Sequence, residues 1–175
     1  MFDLSTDVSK LLFRFLSDNG ASNGNKNMNG DYSITPDEFY FTVANGPGAI
    51  INRLTFHIED TTGIQYEEYG NLGSALTNGY TIKVKDDSGS DVLDLCDGTL
   101  IKSNADIGKY CYDIGIIGVG AGDDMLQARW TLSKTGQPLF LPNGYRLSIT
   151  LNDDFTGLIE HEIMVQGFYL YDGQF

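Results

Sequence analysis

The sequence predicts an all-β fold: an antiparallel β-sandwich, jelly-roll-like with about eight strands, preceded by a short N-terminal helix and a flexible linker. Three observations indicate this class. Several segments alternate apolar and polar residues, as strands with one dry and one wet face require. Turn-forming residues separate them, and the chain has 21 glycines against four prolines. Beyond the N-terminus, no segment has the apolar spacing of a helix.

The alternation is clearest in four segments. In "NRLTFHIED", Leu54, Phe56 and Ile58 alternate with polar residues. The segments "YTIKVK", "QARWTLSK" and "YRLSITLN" follow the same period. Four further strands are predicted in "EFYFTV", "VLDLCD", "KYCYDIGIIGV" and "EHEIMVQGFYLY". Eight strands of this kind fit two antiparallel sheets packed face to face.

The N-terminal part differs in composition. A helix is predicted from Thr6 to Ser17, because one set of apolar residues recurs at a spacing of three and four. These residues are Leu4, Val8, Leu11, Leu12 and Phe15. The tract from Asp18 to Asp31 is rich in Gly, Asn and Ser and is predicted to be flexible. The chain is therefore divided into an arm, residues 1–31, and a β-sandwich domain, residues 32–175.

So short a helix does not persist alone in water, so the arm must pack on its own sandwich or on a neighbouring subunit. Both alternatives stand at this stage.

Composition limits the function. The 175 residues carry 24 acidic and 11 basic side chains, a formal net charge of −13. Such a chain repels phosphate backbones, so nucleic-acid binding is not expected. No apolar run is long enough to span a membrane, and the N-terminus is not typical of a secretory signal. A high negative charge also favours solubility.

The segment "LNDDFTGLIEHEIMVQGFYL", from Leu151 to Leu170, concentrates acids around a histidine. Read as a strand, it places Glu160 and Glu162 on one face and His161 on the other. A chelate from these three side chains would need distorted backbone. A solvated acidic edge is the favoured interpretation, and neither a metal site nor a cofactor is predicted.

Two loops resemble ligand motifs only superficially. "DDSGSD", Asp86 to Asp91, lacks the register of a calcium-binding EF-hand and is read as a hairpin turn. "GVGAGDD", Gly118 to Asp124, lacks the Lys-Ser/Thr ending of a phosphate loop. No G-x-S-x-G elbow occurs, and nothing selects a catalytic pair among the acids. No catalytic residue is predicted, and the chain is expected not to be an enzyme.

Tyrosines and cysteines leave other readings open. Tyr66 and Tyr69 in "QYEEYGN" could stack on a sugar, as in a carbohydrate-binding module, or form a subunit contact. Cys96 and Cys111 are placed in strands, with buried thiols as the default and a single bridge as the alternative.

From Gly30 to Gly167 the sequence resembles virion structural proteins of tailed bacteriophages, particularly capsid decoration or cement proteins. The resemblance lies in "GDYSITPDEFYFT", "INRLTFHIEDT", "YGNLGSALTNGYTIKV", "WTLSKTGQPLFL" and "LNDDFTGLIEHEIMVQGF". These are phrases of sequence and not catalytic signatures.

The resemblance implies a β-rich module without catalysis, located in the virion after synthesis in the host cytoplasm. Its expected partners are the major capsid protein, or other virion proteins, and further copies of itself, with a homotrimer favoured. In this hypothesis the five apolar arm residues bind a neighbour. A tail or neck component would fit the same sequence.

Overall fold

The structure is a computed structural model that describes residues 12–15, 27–43, 46–60, 65–111, 113–118, 124–132 and 138–170. These residues form ten strands and one helix. The elements are β1 Leu12–Phe15, β2 Asp37–Thr42, β3 Gly48–Asp60, β4 Ile82–Lys85, β5 Asp91–Asp94, α1 Asn104–Tyr110, β6 Asp113–Gly118, β7 Asp124–Thr131, β8 Leu139–Pro142, β9 Arg146–Leu151 and β10 Glu160–Leu170.

The strands form two antiparallel sheets. The larger sheet has the order β1-β10-β3-β7-β6, with β8 also paired to β3, and the smaller has the order β2-β9-β4-β5. Apolar side chains of both sheets join one buried cluster. The predicted antiparallel β-sandwich is confirmed; the jelly-roll topology stays a prediction.

Alternation correctly located the strands that cross the core. In β3, Leu54, Phe56 and Ile58 are fully buried. In β7, Leu126, Ala128 and Trp130 are buried, while the residues between them are only partly so. These are the facing positions of paired strands, since Leu54 lies opposite Trp130 and Ile58 opposite Leu126. Burial of one face explains why the register is well specified.

The N-terminal helix prediction is wrong for Leu12–Phe15, which form a strand. β1 lies antiparallel to β10, with Leu12 opposite Phe168 and Phe15 opposite Val165. Pairing with a sheet edge supplies this backbone with partners that a short isolated helix does not have. The other arm residues, Leu4, Val8 and Leu11, lie outside the described residues.

The end of the predicted linker is also part of the domain. Met28 is fully buried, its N–H donates to the carbonyl of His161 at 2.7 Å, and Asp31 bridges to Asp154. The Asn27 amide donates to Ile159 O at 2.9 Å. The flexible-tract prediction is therefore wrong for residues 27–31, and the packed domain extends N-terminal to residue 32.

A short helix replaces part of a predicted strand. In "KYCYDIGIIGV", Lys109 and Tyr110 end α1, and β6 begins only at Asp113. Ser103 caps the helix by accepting from the N–H of Asp106, whose carboxylate accepts from the N–H of Ser103 at 3.1 Å. This capping box marks the start of a helix in the sequence. Within the described chain, α1 is too short to span a membrane, and no helix qualifies as a span.

Candidate functional site

His161 is the polar centre of the sandwich. It lies in β10 and is fully buried, whereas Glu160 and Glu162 on either side of it are partly exposed. The phenyl ring of Phe155 stacks on its imidazole, with ring centroids 4.9 Å apart. The ring of Tyr69 meets the imidazole edge-on at 5.4 Å. The predicted division of the histidine and the glutamates between two faces is therefore confirmed.

The hydrogen bonds of His161 define its tautomer. Nδ1 lies 3.0 Å from the carbonyl oxygen of Met28, which can only accept, so Nδ1 carries the proton. Nε2 then accepts from the hydroxyl of Tyr69 at 2.6 Å. Because Tyr69 uses its proton in this bond, it accepts from the hydroxyl of Tyr80 at 2.7 Å. Every polar atom in this chain of side chains has a partner.

The pKa values of the ionisable groups in this cluster are shifted by burial. Burial lowers the pKa of His161 to about 4, although the bond to Met28 opposes the change, so the imidazole is neutral near pH 7. Burial raises the pKa of Tyr69 and, together with the neighbouring Tyr69, raises that of Tyr80. An acid or base poised near neutral pH is what catalysis needs. These three groups are all shifted away from that range.

The two aspartates that precede His161 in the segment 151–170 accept hydrogen bonds from the backbone of loops. Asp153 is buried and accepts from the backbone N–H groups of Thr77 at 3.1 Å, Asn78 at 3.1 Å and Gly79 at 2.8 Å. Asp154 is exposed and accepts from the N–H of Thr156 at 2.9 Å. The two aspartates are adjacent in the sequence, but they have different functions in the fold. Among the described residues, no three His, Cys, Asp or Glu side chains are placed to hold a metal ion.

The loop "DDSGSD" is a hairpin turn, as predicted. The N–H of Asp86 donates to Ser90 O at 3.0 Å, and the Asp86 carboxylate accepts from the N–H groups of Ser88 and Ser90. Gly89 has a φ of 85°, a conformation that glycine adopts without strain. The hydrogen bond from the Ser88 hydroxyl lowers the pKa of Asp86. Most of the other glycine-rich loop, residues 119–123, lies outside the described residues.

The cysteines are free and buried, so the bridge left open by the sequence is not present. Neither lies in a strand: Cys96 follows β5 in a turn, and Cys111 is the C-cap residue directly after α1. Burial raises the pKa of Cys96 to about 11, which keeps the thiol protonated and unreactive.

The outer face of the smaller sheet carries a network of charged side chains centred on Glu38. Glu38 accepts from Lys85 at 3.1 Å, from Arg146 at 3.2 Å and from the hydroxyl of Ser148. Burial acts to raise the pKa of Glu38, but these bonds outweigh it and lower the pKa. Beside this network is a recess of about 120 Å³, and its lining residues are Thr81, Lys83, Lys85, Asp91, Ser148 and Thr150. Lys83 in this recess is bound to Asp91 at 2.5 Å.

Tyr66 and Tyr69 have opposite environments. Tyr69 is fully buried, so its predicted role in a glycan or subunit contact is wrong, because no ligand can reach its ring. Tyr66 is 63% exposed. Its hydroxyl and the Cδ1 atom of Ile114 each lie 3.3 Å from the position where a side chain on Gly108 of α1 would begin.

Tyr66 thereby adjoins an exposed apolar sheet edge. Ile114 and Ile116 of β6 are 37% and 55% exposed, although their strand partners in β7, Ala128 and Leu126, are buried. We call Tyr66, Ile114 and Ile116 the edge patch. Its sequence signal is the apolar "IGII", which lies within the strand predicted in "KYCYDIGIIGV".

Three comparisons with known proteins gave no match: no protein-family model, curated protein or solved structure is detectably similar to this chain.

Proposed function

We propose that this chain is a non-enzymatic structural protein of a virus particle, a capsid decoration protein that binds the major capsid protein and stabilises the head. The observation that carries the proposal is the distribution of polar and apolar groups. The buried titratable groups around His161 are bonded to one another, and the buried Asp153 holds a loop. Apolar side chains, by contrast, are exposed along a sheet edge. This arrangement favours assembly over catalysis.

The choice of particle depends on the resemblance to decoration proteins that we infer from the sequence phrases within residues 30–167. The net charge of −13 favours solubility before assembly. Binding only to the assembled shell would stabilise it by mass action, and many equivalent contacts would add through multivalency. We propose that the subunits act as a homo-oligomer, with a trimer favoured.

In this proposal residues 1–26 form the arm that contacts a neighbouring virion protein. Within the arm, Leu12–Phe15 act as an added strand and not as a helix, because they pair along the edge of the larger sheet. Within the described chain β1 pairs only with β10, so its pairing can be transferred to a neighbour without disturbing another strand. The arm residues remain those named from the sequence, Leu4, Val8, Leu11, Leu12 and Phe15.

The test is co-expression of the chain with the major capsid protein encoded in the same genome, followed by sedimentation of assembled heads. We expect the full chain to sediment with the heads. A variant lacking residues 1–26 should remain folded but bind less. That deletion ends before Asn27, because Met28 belongs to the core. Failure of the full chain to sediment with heads would contradict the proposal, and undiminished binding by the deletion variant would contradict the role of the arm.

A carbohydrate-binding module is the second candidate, and the exposed ring of Tyr66 is the observation that favours it. Glycan-array binding that disappears in Tyr66→Ala, by a chain that does not bind heads, would select this function. Tail or neck components are distinguished by sedimentation with purified tails in place of heads.

A further inference from the structure

β6 is an edge strand without the usual protection against strand pairing. Natural edges carry lysine, proline, a bulge or a covering element. The segment "DIGIIG" has no lysine or proline, and its register with β7 runs without a bulge from Asp113 to Gly118. No described strand pairs with its other side. The exposed backbone edge is therefore bordered by the apolar edge patch.

Charge and symmetry indicate which partner strand can pair with the exposed edge of β6. Antiparallel pairing of β6 with itself, centred on Gly115, places Ile114 opposite Ile116 of the second copy and the two glycines opposite each other. The acidic Asp113 lies 3.7 Å from the guanidinium of Arg129, which offsets its charge. A strongly acidic molecule can approach its own copy most easily at such an edge.

The second exposed edge strand, β5, is less suited to pairing with its own copy. Val92 and Leu93 are also about half exposed. Self-pairing of "DVLD" would, however, place Asp91 opposite Asp94 of the other copy at both ends of the strand. Like charges directly opposite each other destabilise a strand pair. The register shift between Val84 and Lys85 further distorts this edge.

We propose that β6 pairs antiparallel with β6 of a second copy of this chain, about a two-fold axis at Gly115. The contact joins two six-stranded sheets into one continuous sheet. It buries Ile114 and Ile116 of each copy against those of the other, with Tyr66 beside them. The interface is isologous, so each copy contributes the same patch. This two-fold contact is separate from the three-fold contacts of the proposed trimer, and it holds whether or not the protein belongs to a virion.

Gly115→Cys gives a direct test. A side chain at Gly115 meets no heavy atom within 4 Å, so the strand tolerates the substitution. Antiparallel neighbours have Cα atoms about 4.5–5.5 Å apart, within the range that a disulfide spans. We expect mild oxidation of the full chain to give a covalent dimer that reducing agent reverses. The native Cys96 and Cys111 are buried and should not contribute.

Val92→Cys on β5 is the matched control, since it places an exposed cysteine on the other edge. The control should remain monomeric on a non-reducing gel under the conditions that cross-link Gly115→Cys. Equal cross-linking of the two variants would indicate random collision and overturn the proposal.

Ile116→Lys tests the contact without a covalent cross-link. Sedimentation equilibrium should show weakening of dimer association by about tenfold or more, because an edge lysine opposes strand addition. Val92→Lys should leave association unchanged. An unmodified chain that is monomeric at high micromolar concentration would overturn the proposal. So would a trimer unaffected by Ile116→Lys, which would leave the virion role intact.

Discussion

Tyr66 and Tyr69 lie three positions apart and have opposite environments. Tyr69 is fully buried between Tyr80, Phe155 and His161, and its hydroxyl takes part in two hydrogen bonds. Tyr66 is 63% exposed, beside α1 and the bare edge of β6. We call the buried cluster of Tyr69, Tyr80, Phe155 and His161, in which every polar side-chain atom has a partner, the closed region. We call the exposed apolar edge patch the open region.

The difference between the two regions shows which one contributes to stability and which one to association. A buried polar chain in which every group has a partner fixes the packing of its surroundings, and each loss leaves another group unpaired. Here that chain joins segment 27–30 to β10 through Met28 and His161. The edge patch holds little of the fold together, and its apolar area becomes useful only when another surface covers it. Stability should therefore depend on the closed region, and association on the open one.

The largest effect should come from Phe155→Ala, which removes the ring stacked on His161. Because Phe155 is fully buried, the cavity and lost contacts should lower the free energy of unfolding by about 3 to 5 kcal/mol. Urea denaturation followed by tryptophan fluorescence measures this change. A loss below about 1 kcal/mol would mean that the aromatic cluster is loosely packed.

Acidification should weaken the same region through His161. Its pKa is lowered from 6.5 to about 4 in the folded protein, so the unfolded chain binds the proton more readily. The stability conferred by the neutral imidazole is complete above pH 6.5 and is lost as the pH falls towards 4. We expect a loss of about 2 to 3 kcal/mol between neutral pH and about pH 4.5.

The variant His161→Gln separates this effect from that of the carboxylates, because it should flatten the pH dependence in this window. Hydrogen bonds from Ser33 and Ser88 lower the pKa values of Asp31 and Asp86, so the stability that these carboxylates contribute is lost at lower pH than that of His161. An unchanged slope in His161→Gln would contradict the assignment.

The adjacent residues Asp153 and Asp154 offer a second comparison of a buried and an exposed side chain, with a smaller expected change in stability. Asp153→Ala should cost about 1 to 3 kcal/mol, because it leaves the N–H groups of Thr77, Asn78 and Gly79 without their acceptor. Asp154→Ala, at an exposed turn, should cost less than about 1 kcal/mol. Thermal unfolding of the two variants side by side checks the order. A reversed order would mean that the loop 77–79 is held by other contacts.

The smallest effect on stability should be that of Tyr66→Ala. A side chain 63% exposed contributes little to the core, so the free energy of unfolding should change by no more than about 0.5 kcal/mol. The same denaturation experiment applies, with Tyr69→Ala as the destabilised counterpart. Equal losses in the two variants would remove the distinction between the closed and open regions.

Much of the fold was predictable because local chemistry and tertiary contacts agree. The alternation of "NRLTFHIED" is the burial pattern of β3, and "DDSGSD" forms the turn that its residues favour. The strand prediction for "KYCYDIGIIGV" missed the end of α1 because the segment is rich in aromatic and β-branched residues. The helix-start signal was present upstream, in the Ser103 to Asp106 capping box. Where a helix-start signal is followed closely by a strand-like composition, the end of the helix and the start of the strand have to be located separately.

The N-terminal prediction failed for a different reason. The segment "LLFRF" is apolar enough to satisfy the spacing of a helix as well as the demands of a strand. Within it, Leu12–Phe15 pair with residues 165–168, far away in the chain. No local pattern contains that information, because strand pairing is a contact between distant segments.

The sequence by itself determined the sandwich, since period-two alternation and glycine-rich turns permit little else in a chain of this length. It also determined that His161 and its neighbouring glutamates face opposite ways, because side chains alternate along any strand. Only the tertiary structure decided which polar groups would be buried. Tyr69, Tyr80 and Met28 reach His161 from distant segments, and Asp153 differs from Asp154 only in what lies across from it. Burial is a property of packing between segments, so composition and spacing do not encode it residue by residue.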